Sequence, residues 1–107
     1  MRIDVAFKNL EKSELLEGVI RKNIEKIEKR VKLFKKEVPI HLSFHLEKNP
    51  HKTQYFCWVN LYLPFKVLRA QSSKNDVESL INEVFSALCK QVEKFKYKLE
   101  KHLRKKG

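Results

Sequence analysis

From Val77 onward, apolar side chains recur at every third or fourth position: Val77, Leu80, Ile81, Val84, Phe85, Leu88, Val92, Phe95, Leu99 and Leu103. That spacing sets them along one stripe of a single long helix. Such a helix gains most of its stability by burying the stripe, so the remaining chain must present an apolar surface to receive it. Asn75 is the expected N-cap, with Glu78 three residues on as its capping-box partner. The polar side of the same helix carries Lys90, Lys94, Lys98, Lys101 and Lys105, again at threes and fours, rotated well away from the stripe. Their spacing, about 6 Å per turn, is close to that of successive phosphates on a nucleic acid strand.

The receiving surface is written upstream in the two-residue period of strands. Ile3, Val5 and Phe7 alternate with Arg2, Asp4 and Ala6; Val38, Ile40, Leu42, Phe44 and Leu46 alternate with Pro39, His41, Ser43, His45 and Glu47. Gln54 to Leu63 predicts a third strand and Phe65 to Ser72 a fourth, after Pro64. Between the first two strands, Ser13 reads as an N-cap followed by Glu14 and Glu17 in the first helical turn, where negative charge suits the helix dipole. Leu16, Val19, Ile20, Ile24, Ile27, Val31 and Phe34 form that helix's apolar stripe. Arg21, Lys22, Lys29, Lys32 and Lys36 lie opposite, with Lys26 at the flank. The order is βαβββα. Its simplest arrangement is a two-layer α+β fold, a four-stranded sheet with both helices packed on one face.

One sheet face is then bare. In the third strand Tyr55, Cys57, Val59, Leu61 and Leu63 form one set and Phe56, Trp58, Asn60 and Tyr62 the other, and only one set can enter a two-layer core. The first is expected inward, leaving Phe56, Trp58 and Tyr62 near His41 and His45 on the open face. This aromatic surface reads as a self-association or partner face in preference to a platform for stacking bases.

At 107 residues the chain is one domain, residues 1–103, with 104–107 as a short basic tail. A formal charge of +11 selects an anionic partner. One lysine stripe is usually just a solvated helix face. Two such stripes with few compensating acids point to RNA instead, and nominate Arg21, Lys22, Lys26, Lys29, Lys90, Lys94, Lys98 and Lys101 as its contacts. No run approaches 18 apolar residues, the N-terminus has no signal-peptide pattern, and Cys57 and Cys89 lack a CxxC spacing. The expectation is a cytoplasmic protein with no membrane partner and no disulfide. His41 and His45 stand about 13 Å apart on a strand, too far to share a metal ion. With two glycines, no phosphate loop and no nucleophile-base constellation, neither catalytic residues, cofactor nor metal is expected, and the chain reads as no enzyme.

Several segments carry a family resemblance. The NLEKS lead into the first helix, the DVESLIN opening of the second and its continuation LCKQVEKFKYKLEKH are similar to the short ribosome hibernation-promoting factors, the ribosome-associated inhibitor A family. The likeness extends from Met1 to about His102. It is most specific at Asp76, Ile81, Leu88, Gln91, Lys94, Lys98, Leu99 and His102, with Lys26 to Lys29 matching in the first helix. Phe7, Glu78, Asn82 and the Pro64-Phe65-Lys66 turn depart from the family pattern. The resemblance implies binding to the small ribosomal subunit in the mRNA and tRNA channel, contact with rRNA through both helices, competition with mRNA and tRNA, and silencing of translation during stress or stationary phase. The chain stops soon after the second helix, which favours the short type of factor. A homodimer through the open sheet face fits the aromatic surface. A general structured-RNA-binding module, without ribosome specificity, remains the alternative reading.

Overall fold

A computed structural model describes the backbone of residues 1–32, 39–64 and 66–106. The elements are β1 (Arg2–Lys8), α1 (Glu14–Val31), β2 (His41–Lys48), β3 (Tyr55–Leu63), β4 (Lys66–Lys74) and α2 (Val77–Lys106). The order is the expected βαβββα. Phe34, Lys36, Val38 and Phe65, and the side chains of Leu103 and Lys105, lie outside the described residues.

The four strands lie side by side in the order β1-β2-β3-β4. β1 and β2 are parallel, a pairing that needs the crossover connection α1 provides, and the two later pairs are antiparallel. Ile3 pairs with Leu42, Val5 with Phe44 and Phe7 with Leu46, so all six face the helices. α2 lies over β3 and β4, and α1 packs along α2. Leu42, Phe44, Leu46, Cys57, Val59 and Leu61 are buried against Ile20, Ile24 and Ile27 of α1 and Leu80, Ile81, Val84, Phe85, Leu88 and Val92 of α2. Phe44 and Phe85 stack across the two layers with ring centroids 5.5 Å apart. The expected inward set of β3 is therefore the one that enters the core, Tyr55 being half-buried at its end.

Ser13 caps α1 as expected, its hydroxyl accepting from the Leu16 N–H at 3.1 Å. Ser13→Ala should cost about 1 kcal/mol of stability, read from urea unfolding midpoints at unchanged slope. Just before this cap, Asn9 adopts φ 61°, a left-handed conformation that asparagine tolerates better than most residues.

The start of α2 departs from expectation. Asp76, not Asn75, is the N-cap: its carboxylate accepts from the Glu78 N–H at 3.2 Å and its carbonyl from the Leu80 N–H at 3.0 Å. Glu78 sits within the first turn, too close to the cap to close a capping box, and there complements the helix dipole. The far end of α2 departs as well. Thirty helical residues extend about 45 Å, while the nine-residue strands beneath extend about 30 Å. The core-facing stripe therefore ends near Phe95. Leu99, expected in the core, is 40% exposed because it lies beyond the reach of the described strands. Arg104–Lys106, expected as a tail, continue the helical backbone.

Candidate nucleic-acid interface

The two helices run parallel, since Asn23 meets Asn82 and, farther along both, Arg30 meets Glu93. The side of α2 turned toward α1 carries Asn82, Cys89 and Glu93. Its opposite flank is tied to β4: Gln91 donates to the Arg69 carbonyl at 2.7 Å, and Glu83 accepts from the Ser72 hydroxyl at 2.6 Å beside Lys74 Nζ at 3.5 Å. The Ser72 hydrogen bond, followed by the Lys74 charge, holds the Glu83 carboxyl below its ordinary range. Lys90, Lys94, Lys98 and Lys101 follow this second flank toward solvent. On α1, Lys22, Lys26 and Lys29 point outward or toward α2. All seven of these lysines and Arg21 are exposed. Among the described residues no carboxylate forms an ion pair with any of the eight. Exposed cations without protein partners are free to exchange counterions for phosphates.

Lys29 lies in a shallow depression with Glu25, Glu28 and Lys32, and Arg21 is set apart from the other six. It lines a groove between α1 and β1 together with Glu17, Glu25 and Glu28, on the flank of α1 that faces away from α2. Neighbours in sequence, Arg21 and Lys22 therefore look in different directions.

Between the helices lies a second groove of about 400 Å³, lined by Asn23, Lys26, Arg30, Asn82, Ser86 and Cys89. Asn23 is 5% exposed, and its amide donates both to the Val19 carbonyl and to Asn82 Oδ1, each at 2.9 Å. Arg30 donates to the Lys26 carbonyl at 3.1 Å and pairs with Glu93 at 3.3 Å. These contacts, which fix how far apart the two lysine rows stand, escaped the sequence reading. Asparagines 59 positions apart give no periodic signal. Asn82→Ala should strand one buried amide hydrogen of Asn23 and cost about 1–3 kcal/mol, while Asn82→Asp, which keeps the acceptor, should cost much less; denaturant titration of both variants distinguishes them.

Burial drives the Cys57 thiol up to about 12. The Cys89 thiol is also raised, burial outweighing the nearby Arg30 and Lys26 cations. Neither thiol is primed as a nucleophile. Among the described residues, no group of three or more His, Cys, Asp or Glu could hold a metal ion, and no helix is long and apolar enough to cross a membrane.

The open sheet face is a layer already packed on itself. Trp58 lies between His45, stacked at 5.1 Å on the β2 side, and the Arg69 guanidinium, 5.4 Å away on the β4 side. His41 stacks on Tyr62 at 5.2 Å and lies 2.6 Å from Asp4. Asn60 donates to the Tyr62 hydroxyl at 3.2 Å, while its buried Oδ1 has no partner among the described residues. Within the layer the Trp58 indole thus has the His45 ring and the Arg69 guanidinium as neighbours.

Two solved structures share this fold. The N-terminal domain of Protein Y from Thermus thermophilus superposes with a TM-score of 0.70 at 16% identity, covering 89% of this chain and 99% of that one. A ribosomal subunit interface protein from Coxiella burnetii superposes with a TM-score of 0.64 at 22% identity, covering 91% and 99%. No curated protein matches the chain. The family model of the sigma 54 modulation protein / S30EA ribosomal protein matches residues 3–104, from the first residues of β1 into the last turn of α2, and the chain belongs to that ribosome hibernation family.

Proposed function

We propose that this protein binds the small ribosomal subunit in the mRNA and tRNA channel, through rRNA phosphates held by α1 and α2, and silences translation under stress or in stationary phase. The observation that carries the reading is the pair of exposed lysine rows, free of ion pairs among the described residues, on adjacent parallel helices of a chain at +11. The names of the two structural relatives, a subunit interface protein among them, accord with a site on the ribosome. Lys22, Lys26, Lys29, Lys90, Lys94, Lys98 and Lys101 are the principal contacts, with Arg21 at the margin. The protein works in the cytoplasm, by occupancy and without catalysis. The aromatic layer of Phe56, Trp58 and Tyr62 is assigned to contact between two copies, because the two lysine rows are carried by the helices, on the other side of the sheet.

Occupancy makes a direct test. Labelled protein is titrated onto small subunits with and without mRNA and initiator tRNA. Vacant subunits should take it up readily and preformed initiation complexes should resist it, each ligand lowering the other's apparent affinity. Saturation by all three ligands at once excludes the channel. Equal binding to unrelated structured RNA favours the general RNA-binding module instead.

A further inference from the structure

The helix layer does not cover the whole sheet. Because α2 lies over β3 and β4 and α1 packs along α2, the strip above β1 is left open among the described residues. The inward residues of β2 are sealed, with Leu42 and Leu46 at 0% and Phe44 at 1% exposure, whereas Ile3 and Val5, their inward neighbours on β1, are each 38% exposed. A groove of about 420 Å³ runs between β1 and α1 with Ile3, Val5, Phe7 and Ile24 in its floor. Among the described residues β1 is also a sheet edge that pairs only with β2, so its outer side offers backbone groups to a further strand.

The wall of this groove carries more carboxylates than cations on a strongly basic protein, with Lys29 and Lys32 beside Glu25 and Glu28 on its outer rim. Glu17, Glu25 and Glu28 line it against Lys12 and Arg21, three carboxylates to two cations. None of the three glutamate side chains forms an ion pair or hydrogen bond among the described residues. α1 thus divides its charges, with Lys26 toward α2 and these glutamates toward β1. Nucleic acid is disfavoured at such a wall.

We propose that the edge of β1 and this groove together receive an extended basic segment of a partner protein, which adds to the sheet as a fifth strand. An added strand would hydrogen-bond to β1 and turn alternate side chains into the groove. Glu17 and Glu25 stand eight residues apart on α1, about 12 Å along the axis, and inward residues four apart on a strand span about 13 Å. Lysine or arginine at two inward positions, separated by one apolar inward residue, therefore matches the wall. Their aliphatic stems cover Ile3, Val5 and Phe7 while their charged ends reach the glutamates. A second copy of this chain lacks what the wall asks for, since β1 turns Ile3, Val5 and Phe7 inward and no cation. Antiparallel β1–β1 pairing centred on Val5 sets Arg2 opposite Lys8, and pairing centred on Asp4 sets that carboxylate against itself.

The probe is a capped seven-residue peptide of threonine alternating with lysine, valine and lysine, compared with one carrying glutamate in both lysine positions. Amide NMR of the full chain should show shifts confined to β1 and the Glu17–Glu28 part of α1, with affinity for the lysine peptide at least tenfold higher. The combined variant Glu17→Gln, Glu25→Gln and Glu28→Gln should abolish that preference, and Val5→Lys, which fills the floor, should abolish binding. Both should still bind small subunits. Equal affinity for the two peptides, shifts on the lysine rows or the open sheet face, a short RNA binding in the groove, or concentration-dependent shifts of β1 without peptide would each overturn the proposal.

Discussion

Reversal of Lys90, Lys94 and Lys98 to glutamate should abolish ribosome binding and, with it, inhibition of translation in a purified system. Each change removes a cation worth about 1 kcal/mol beside an anionic surface and substitutes a repulsion of similar size, so the triple variant should lose on the order of a thousandfold in affinity or more. The fold should survive. All three side chains are exposed on the flank of α2 that leads from β4 to solvent, and none forms an ion pair among the described residues. Removing them leaves no buried partner unsatisfied, and relieving like charge on a chain at +11 is itself mildly stabilising. The control is Trp58→Ser with Tyr62→Ser, which strips the open sheet face. That variant should alter sedimentation at high concentration and leave subunit binding unchanged. If the aromatic variant loses the ribosome while the lysine variant keeps it, the binding face is the sheet, not the helices.

The elements of this fold were legible because each announces itself by a local period. Ile3, Val5 and Phe7 alternate, Ile20, Ile24 and Ile27 recur at threes and fours, and β3 offers two alternating sets of which only one can enter a two-layer core. What periodicity cannot register is where one element ends relative to another. Leu99 continues the stripe of α2 faultlessly, yet the sheet beneath stops short and leaves it 40% exposed. Val5 alternates like any half-buried strand residue, yet the helix layer sits toward β4 and leaves it 38% exposed. The cap of α2 lies within a pair, Asn75 and Asp76, whose members both favour that role, and only hydrogen-bond geometry separates them.

The candidate site divides along the same line. Exposure of its cations followed from their rotation away from the apolar stripes. Their grouping did not, because Arg21 and Lys22 look alike in a wheel drawn for one helix and separate only when α2 is set on one side of α1 and β1 on the other. Arg30 reads as one more cation of α1 until it is seen to pair with Glu93 across the groove.

Salt should weaken binding steeply, and the steepness counts contacts. Each phosphate neutralised by lysine or arginine releases condensed counterions, so the logarithm of affinity falls with the logarithm of salt concentration at a slope proportional to the number of contacts. For about six to ten contacts, the loss between about 50 and 200 mM monovalent salt is on the order of a thousandfold or more. The slope also apportions the interface. Neutralising Lys90, Lys94 and Lys98 to glutamine should lower it by about three contacts' worth, and neutralising Lys22, Lys26 and Lys29 should do the same if both rows engage at once. Arg21→Gln should change it little, since its side chain faces the groove beside β1. Divalent cations must be held constant throughout, because they compete for the same phosphates and would flatten the dependence. A slope that responds to one row alone would mean that a single helix meets the RNA. A shallow slope in the unmodified protein would remove the lysine rows from the interface altogether.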